Sequence, residues 1–283
     1  MKKLFKFILV ILIFSVGSCG LFDNFSDTPM FLELKDPSLI TLSNQGSASH
    51  KILDIWAAAD GSSLGVFEMP ITIPVYDENS TTNVQYFAGI RRNGTTNDNI
   101  QYPFYDRINF SYDYVPEVVR TDDLVFAYRD DAIFSLTENF SGVHTFSVDV
   151  DGDTNTKIVQ VNDGCQEGAC GLILLETDSS RIEVASAIGL QGLPTNGTPV
   201  YLELDYKNDI EFSIGLQGEF NGNNFEQYLI VLKEKEEWNK LYLDLTQLLQ
   251  DSGLETYRVL FGATNDSSDP GRVYLDNVKL VHF

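Results

Sequence analysis

The sequence predicts an all-β protein built as two β-sandwich domains behind a short cleavable leader. Three observations carry this. A sustained helical period of apolar residues is almost absent. Strand-forming residues are plentiful, with 19 Phe and 13 Tyr in 283 residues beside many Val, Ile and Thr. Short alternating runs recur between turn signals, the pattern of half-buried strands.

The leader comes first. Lys2, Lys3 and Lys6 make a positive start, Phe7–Phe14 is unbroken apolar, and Gly17 and Ser18 precede Cys19. That order is a secretory signal, and its apolar run is far short of the roughly 20 residues that span a bilayer. Ending on Cys, it resembles the bacterial lipobox, with Val16 where Leu is usual. The resemblance implies cleavage after Met1–Ser18 and acylation of Cys19 with palmitate-type chains. Buried acyl chains, at roughly 0.8 kcal/mol per CH₂, anchor a protein to a bilayer. The expected partner is therefore the lipid bilayer through Cys19, and the expected location is the cell envelope. Gly20 is not the Asp that often retains lipoproteins at the inner membrane, which points to the outer membrane. Residues 19–29 show no period and read as a lipidated tether.

The net charge is −22 and grows more negative once the leader lysines leave. Such a chain repels phosphate backbones, so nucleic acid is not an expected partner. The charge also disfavours anionic headgroups and strongly acidic glycans. Cys165 and Cys170 remain, in DGCQEGACG. An exported chain meets an oxidising compartment, and a tight loop disulfide between them is expected.

The first block covers residues 30–128. Its strands are expected at Phe31–Leu34, Lys51–Ala57, Leu64–Glu68, Ile71–Val75, Val84–Ile90, Ile108–Tyr114 and Asp123–Tyr128. Asp60-Gly61 and Asn93-Gly94 carry turn chemistry. Pro70 and Pro74 give the strand between them an edge position. The segment ILDIWAAADGSSLGVFEMPITIPV, then FAGIRRNG and YPFY, resembles the first domain of Bacteroidota outer-membrane lipoproteins. It is also similar to PEGA-type and carboxypeptidase-regulatory-like sandwiches. Neither family implies catalysis.

The second block covers residues 131–283. Strands are expected at Phe146–Val148, Lys157–Val161, Leu172–Leu175, Arg181–Ala187, Val200–Tyr206, Glu211–Leu216, Gln227–Leu232, Asn239–Asp244, Tyr257–Ala263 and Arg272–Val281. A short helical turn is expected over Leu245–Leu249. Val200, Leu202, Leu204 and Tyr206 fall on one face, leaving Glu203 and Asp205 facing solvent. The segments VYLELDYKNDIEFSIGL, EWNKLYLDLTQLL, RVLFGA and RVYLDNVKLV resemble galactose-binding-like jelly rolls, the sandwich of many carbohydrate-binding modules. The charge cluster at Arg129–Asp131 marks the boundary, and each half is expected to fold separately.

Sugar recognition needs aromatic faces beside a few polar groups. Phe220 and Phe225 sit in GEFNGNNFEQ, read as a flexible loop, with Asn221, Asn223, Asn224 and Gln227 around them; the two rings either turn outward to stack on a sugar or tuck under the loop and cap the sandwich. Trp238 joins this ligand set, with structural packing as its other reading. Tyr206 and Tyr242 are expected in the core. Asp149, Asp151 and Asp153 in DVDGDTN have the oxygen density of a Ca²⁺ loop, or else form a solvated acidic turn. The EF-hand spacing fails, because the Gly is fourth and the twelfth residue is Gln160. The jelly-roll resemblance implies a second structural Ca²⁺ position at Asp276, with Glu138 as its match.

Nothing points to catalysis. His50, His144 and His282 show no metal-ligand spacing and no adjacent nucleophile motif, and no phosphate loop is present. The expected function is a non-enzymatic surface module that binds glycans, with an accessory subunit of an envelope complex as the alternative.

Overall fold

The computed structural model describes residues 28–76 and 80–283. The leader, Cys19 and all but the last residues of the tether lie outside them. Apart from one short helix, every regular element among the described residues is a strand.

The first block is a sandwich. One layer holds β1 (Met30–Leu34), with β5 (Ile71–Val75) antiparallel on one side and β9 (Val119–Asp122) parallel on the other. The layer continues as β2 (Ser38–Ile40) beside β10 (Val125–Ala127). β5 pairs only with β1, so it is an edge strand, as proline lacking an N–H donor requires. The other layer runs β4 (Ser62–Glu68), β3 (Asp54–Ala59), β6 (Thr81–Arg91), with β7 (Asn99–Gln101) and β8 (Ile108–Asp113) both against β6. Asp60 and Gly61 close the β3–β4 hairpin at φ 47° and 79°. Met30, Leu32 and Leu34 alternate inward to meet Val84, Tyr86, Ala88 and Ile90 in one cluster.

The second block is a jelly roll of two antiparallel sheets. The first sheet runs β13 (Ile158–Val161), β14 (Cys170–Leu175), β22 (Gly271–His282), β17 (Val200–Asn208), β20 (Lys235–Asp244), and β11 (Ile133–Glu138) also pairs with β22. The second runs β12 (Phe146–Asp149), β15 (Arg181–Ser186), β21 (Thr256–Thr264), β18 (Phe212–Phe220), β19 (Asn223–Leu232), with β16 (Leu190–Gln191) on β21. The helix α1 (Thr246–Ser252) follows β20 and ends at Gly253, whose φ of 60° suits a left-handed C-terminal cap. Cys165 and Cys170 are disulfide-bonded.

The outer side of the first sheet corrects one expectation. Val200, Leu202, Leu204 and Tyr206 do face the sandwich core. Glu203 and Asp205, on the opposite face, are not solvated; they are 0% and 2% exposed. Alternation says which residues share a face, not what covers it. Here the first block covers it. Tyr201, Tyr242 and Val281 belong to the first block's apolar cluster, and Tyr102 meets Tyr105, Tyr201 and Tyr242 edge-on at 4.7–5.5 Å between ring centres.

Beneath those rings sits a buried charged cluster. The Tyr102 hydroxyl donates to Glu203 Oε1 at 2.7 Å, and the Tyr128 hydroxyl lies 2.9 Å from both Glu203 oxygens. The Asn277 amide donates to Asp205 at 2.9 Å. Lys279 donates to the Ser47 carbonyl and lies 3.3 Å from the Tyr128 hydroxyl. A carboxylate withdrawn from water this far must be matched by hydrogen bonds and cations, and the two blocks supply them jointly.

Candidate functional site

Alternation also decides what reaches the open face of the second sheet. On β18, Phe212, Ile214 and Leu216 enter the core, leaving Ser213, Gly215 and Gln217 outward. On β21 the outward set includes Gly262 and Thr264, and on β15 it includes Arg181 and Glu183. A register shift between β18 and β19 sets Tyr228 opposite Gly215. Such a bulge re-aims the side chain beside it.

Tyr228 lies down across the sheet. A Cβ on Gly262 would stand 2.3 Å from the Tyr228 hydroxyl oxygen and 2.8 Å from its Cζ, so the side chain keeps this position only over glycine. At Gly215 a Cβ would meet the Gln227 carbonyl at 2.1 Å, so glycine also lets β19 approach. The Tyr228 hydroxyl then reaches Glu183 and donates to its Oε1 at 2.9 Å. Arg181 pairs with the other oxygen at 3.0 Å. Burial, with the Glu183 bond added, pushes the Tyr228 phenol up and keeps it protonated. The Glu183 bond holds the Arg181 guanidinium above its usual range.

The result is a groove of about 330 Å³ lined by Arg181, Glu183, Glu211, Ser213, Tyr228 and Val231. It offers a flat phenol ring, a fixed anion–cation pair and further polar edges. Sequence reasoning missed it. The signals were the in-strand glycines of FSIGL and LFGAT and the polar face of RIEV.

The expected ligand residues lie elsewhere. Gly218–Gln227 is not a flexible loop but the end of the β18–β19 hairpin, closed by Asn221 and Gly222 at φ 52° and 75°. Asn-Gly with both φ positive is the two-residue turn that matches strand twist. Phe220 and Phe225 are 48% and 51% exposed. They share the face of Gly218, against which Leu254 packs, and so point away from the groove. Asn223 pairs with Phe220 on that same face, whereas Asn224 is on the groove side but past its lining; Gln227 is exposed. Trp238 lies on the other sheet, donating from its indole N–H to the Gly164 carbonyl at 3.1 Å and holding the disulfide loop.

The structure does not gather the expected calcium ligands. Glu138 accepts the backbone N–H groups of Phe140 and Thr145 at 2.8 and 2.7 Å. Asp276 accepts those of Glu167 and Asn277. Asp149, Asp151 and Asp153 accept from Gly152, Asp153 and Asn155, folding DVDGDTN as an acidic turn, and Asp151 also accepts the Glu183 N–H. No cluster of three or more His, Cys, Asp or Glu suited to a metal occurs among the described residues.

No protein-family model matches the chain, and no curated protein matches it. Solved structures do. A family 30 carbohydrate-binding module of a Clostridium thermocellum cellulosomal cellulase matches at 15% identity and TM-score 0.35, covering 52% of this chain and 92% of that one. A family 11 module of another cellulosomal cellulase from the same organism matches at 14% and TM-score 0.37, covering 53% and 95%. A family 29 carbohydrate-binding module matches at 17% and TM-score 0.33, covering 53% and 88%. At TM-scores below 0.5 none of them bears on what this chain binds.

Proposed function

We propose that the chain is a non-catalytic binding protein that takes a glycan into the Tyr228 groove and is held at the outer membrane through lipidated Cys19. One observation carries the glycan reading: the Tyr228 side chain reaches across the sheet to sit over Gly262, with its hydroxyl fixed to Glu183. A ring held this way offers an apolar face for the C–H side of a sugar, already ordered before the ligand arrives. Arg181 and Glu183 beside it offer a donor and an acceptor to sugar hydroxyls. Both Glu183 oxygens are engaged, one by Tyr228 and one by Arg181, which suits a positioned acceptor more than a proton donor. A glycan array with the full chain and its Tyr228→Ala variant tests the reading. Sugars retained by the native chain should be released by the variant and recovered uncleaved. Cleavage products would replace binding with hydrolysis.

A further inference from the structure

A separate pair of cavities lies where the two blocks meet, on the outer side of the first sheet. One, of about 230 Å³, is walled by His50, Lys51, Asp205, Trp238 and Lys240. Its neighbour, of about 350 Å³, is walled by Arg91, Tyr206, Lys235 and Tyr242. Lys51, Asn239 and Lys240 line both.

This wall is basic in a chain whose net charge is −22. Arg91 is neutralised by Asp54 and Glu68. The lysines are less well matched. Lys51 donates to the uncharged amide oxygen of Asn239. Lys235 has no ion-pair partner among the described residues. The Lys240 side chain is 2% exposed, and its nearest carboxylate oxygens, on Glu203 and Asp205, stand at 3.7 and 3.8 Å. Those distances are beyond hydrogen bonding, and no described atom accepts a hydrogen bond from that ammonium. A buried donor left without an acceptor is costly, so an incoming oxygen anion would satisfy an existing need. Burial pushes the Lys51 ammonium down, and Lys235 and Arg91 push it further. Among the residues lining the two cavities, Asp205 is the one carboxylate against Lys51, Lys235, Lys240 and the paired Arg91, although the whole chain is negative.

We propose that this cleft binds the carboxylate of an acidic sugar, seated between Lys51 and Lys240 with Lys235 adding charge and Trp238 beside the sugar ring. Carboxylate fits the lysine donors, while Asn239 and Asp205 provide the mixed polar edge that hydroxyls need. The chain's overall charge repels a polyanion at long range, but within a Debye length the nearest lysines dominate. The site thus favours an isolated sugar acid. It is on the opposite sheet from the Tyr228 groove and does not rest on that reading.

The test is a titration of the full chain with sodium D-glucuronate, followed by tryptophan emission. Trp238 lines the cleft, and Trp238→Phe identifies its share of the signal. The expected result is a saturable change, at least tenfold weaker for D-glucose and for acetate. Lys51→Gln with Lys235→Gln should weaken it at least tenfold without lowering the melting temperature, and Tyr228→Ala should leave it unchanged. Equal responses to glucuronate and glucose, or an unaffected double lysine variant, would overturn the carboxylate site. Acetate matching glucuronate would overturn the sugar assignment. Loss of the signal in Tyr228→Ala would assign it to the groove instead.

Discussion

Tyr228 on β19 hydrogen-bonds Glu183 on β15 across the two strands that separate them, at 2.9 Å. The reach works because Gly262 lies beneath the ring without a Cβ. Gly262→Ala should therefore lift the ring and break the bond. The displaced group is the end of a side chain, so the cost in stability should be no more than the ~1–3 kcal/mol of overpacking. Glycan affinity should fall much further than that. Denaturant unfolding and a binding titration on the same variant separate the two effects.

Against the expectation that each half folds separately, the two blocks should unfold together. Tyr102 and Tyr128 of the first block bond Glu203 of the second, and the aromatic cluster is shared. Calorimetry should show one transition. Glu203→Ala would strand the buried Lys240 and Lys279 charges, at a cost of about 3–5 kcal/mol. Two separate transitions in the native chain would show that the contact is weak.

How much of this was legible can be judged from particular strands. The alternation of β17 gave the core face correctly, because burying one side leaves a period of two. It gave no sign that Glu203 and Asp205 were covered, since a polar face over solvent and a polar face under a second block read alike. The Asn-Gly turn at 221–222 was visible as composition but was read as looseness, when positive φ at both residues closes a tight hairpin. The groove was hidden for a different reason. Arg181, Glu183, Tyr228 and Gly262 lie on three strands, and only sheet order brings them together.

Asp276 gives a pH dependence. Burial pushes its carboxyl up to about 7 from an ordinary 3.8, against two backbone N–H bonds that pull it down. Between those values the folded chain holds a proton that the unfolded chain has lost. Stability from this group therefore falls as pH rises from about 4 to about 7, and is flat on either side. Asp276→Asn should remove that slope. Stability of the variant minus that of the native chain, measured by urea unfolding across this range, should rise with pH. A difference independent of pH would count against the buried acid.

Lys279 runs the other way. Burial pushes its ammonium down to about 8 from 10.5. In that window the unfolded chain holds the extra proton, so this group's contribution to stability rises with pH. Lys279→Met should flatten the alkaline limb in the same unfolding series.

Anchorage should depend on one atom. Cys19→Ala should move the chain from the membrane fraction to the soluble fraction with the same melting temperature, because Cys19 precedes the first described strand, at Met30–Leu34, by eleven residues. Membrane-bound protein persisting in that variant would remove the lipoprotein reading.

The central claim is that a glycan sits on the Tyr228 ring. The most direct measurement compares glycan-array binding of the native chain, Tyr228→Ala, and a variant with both Phe220→Ala and Phe225→Ala. The phenylalanines point away from the groove, so the account predicts that the Phe variant keeps the native binding and the Tyr variant loses it. Binding that survives Tyr228→Ala but disappears with the two phenylalanines would contradict it, as would a native chain that binds no glycan.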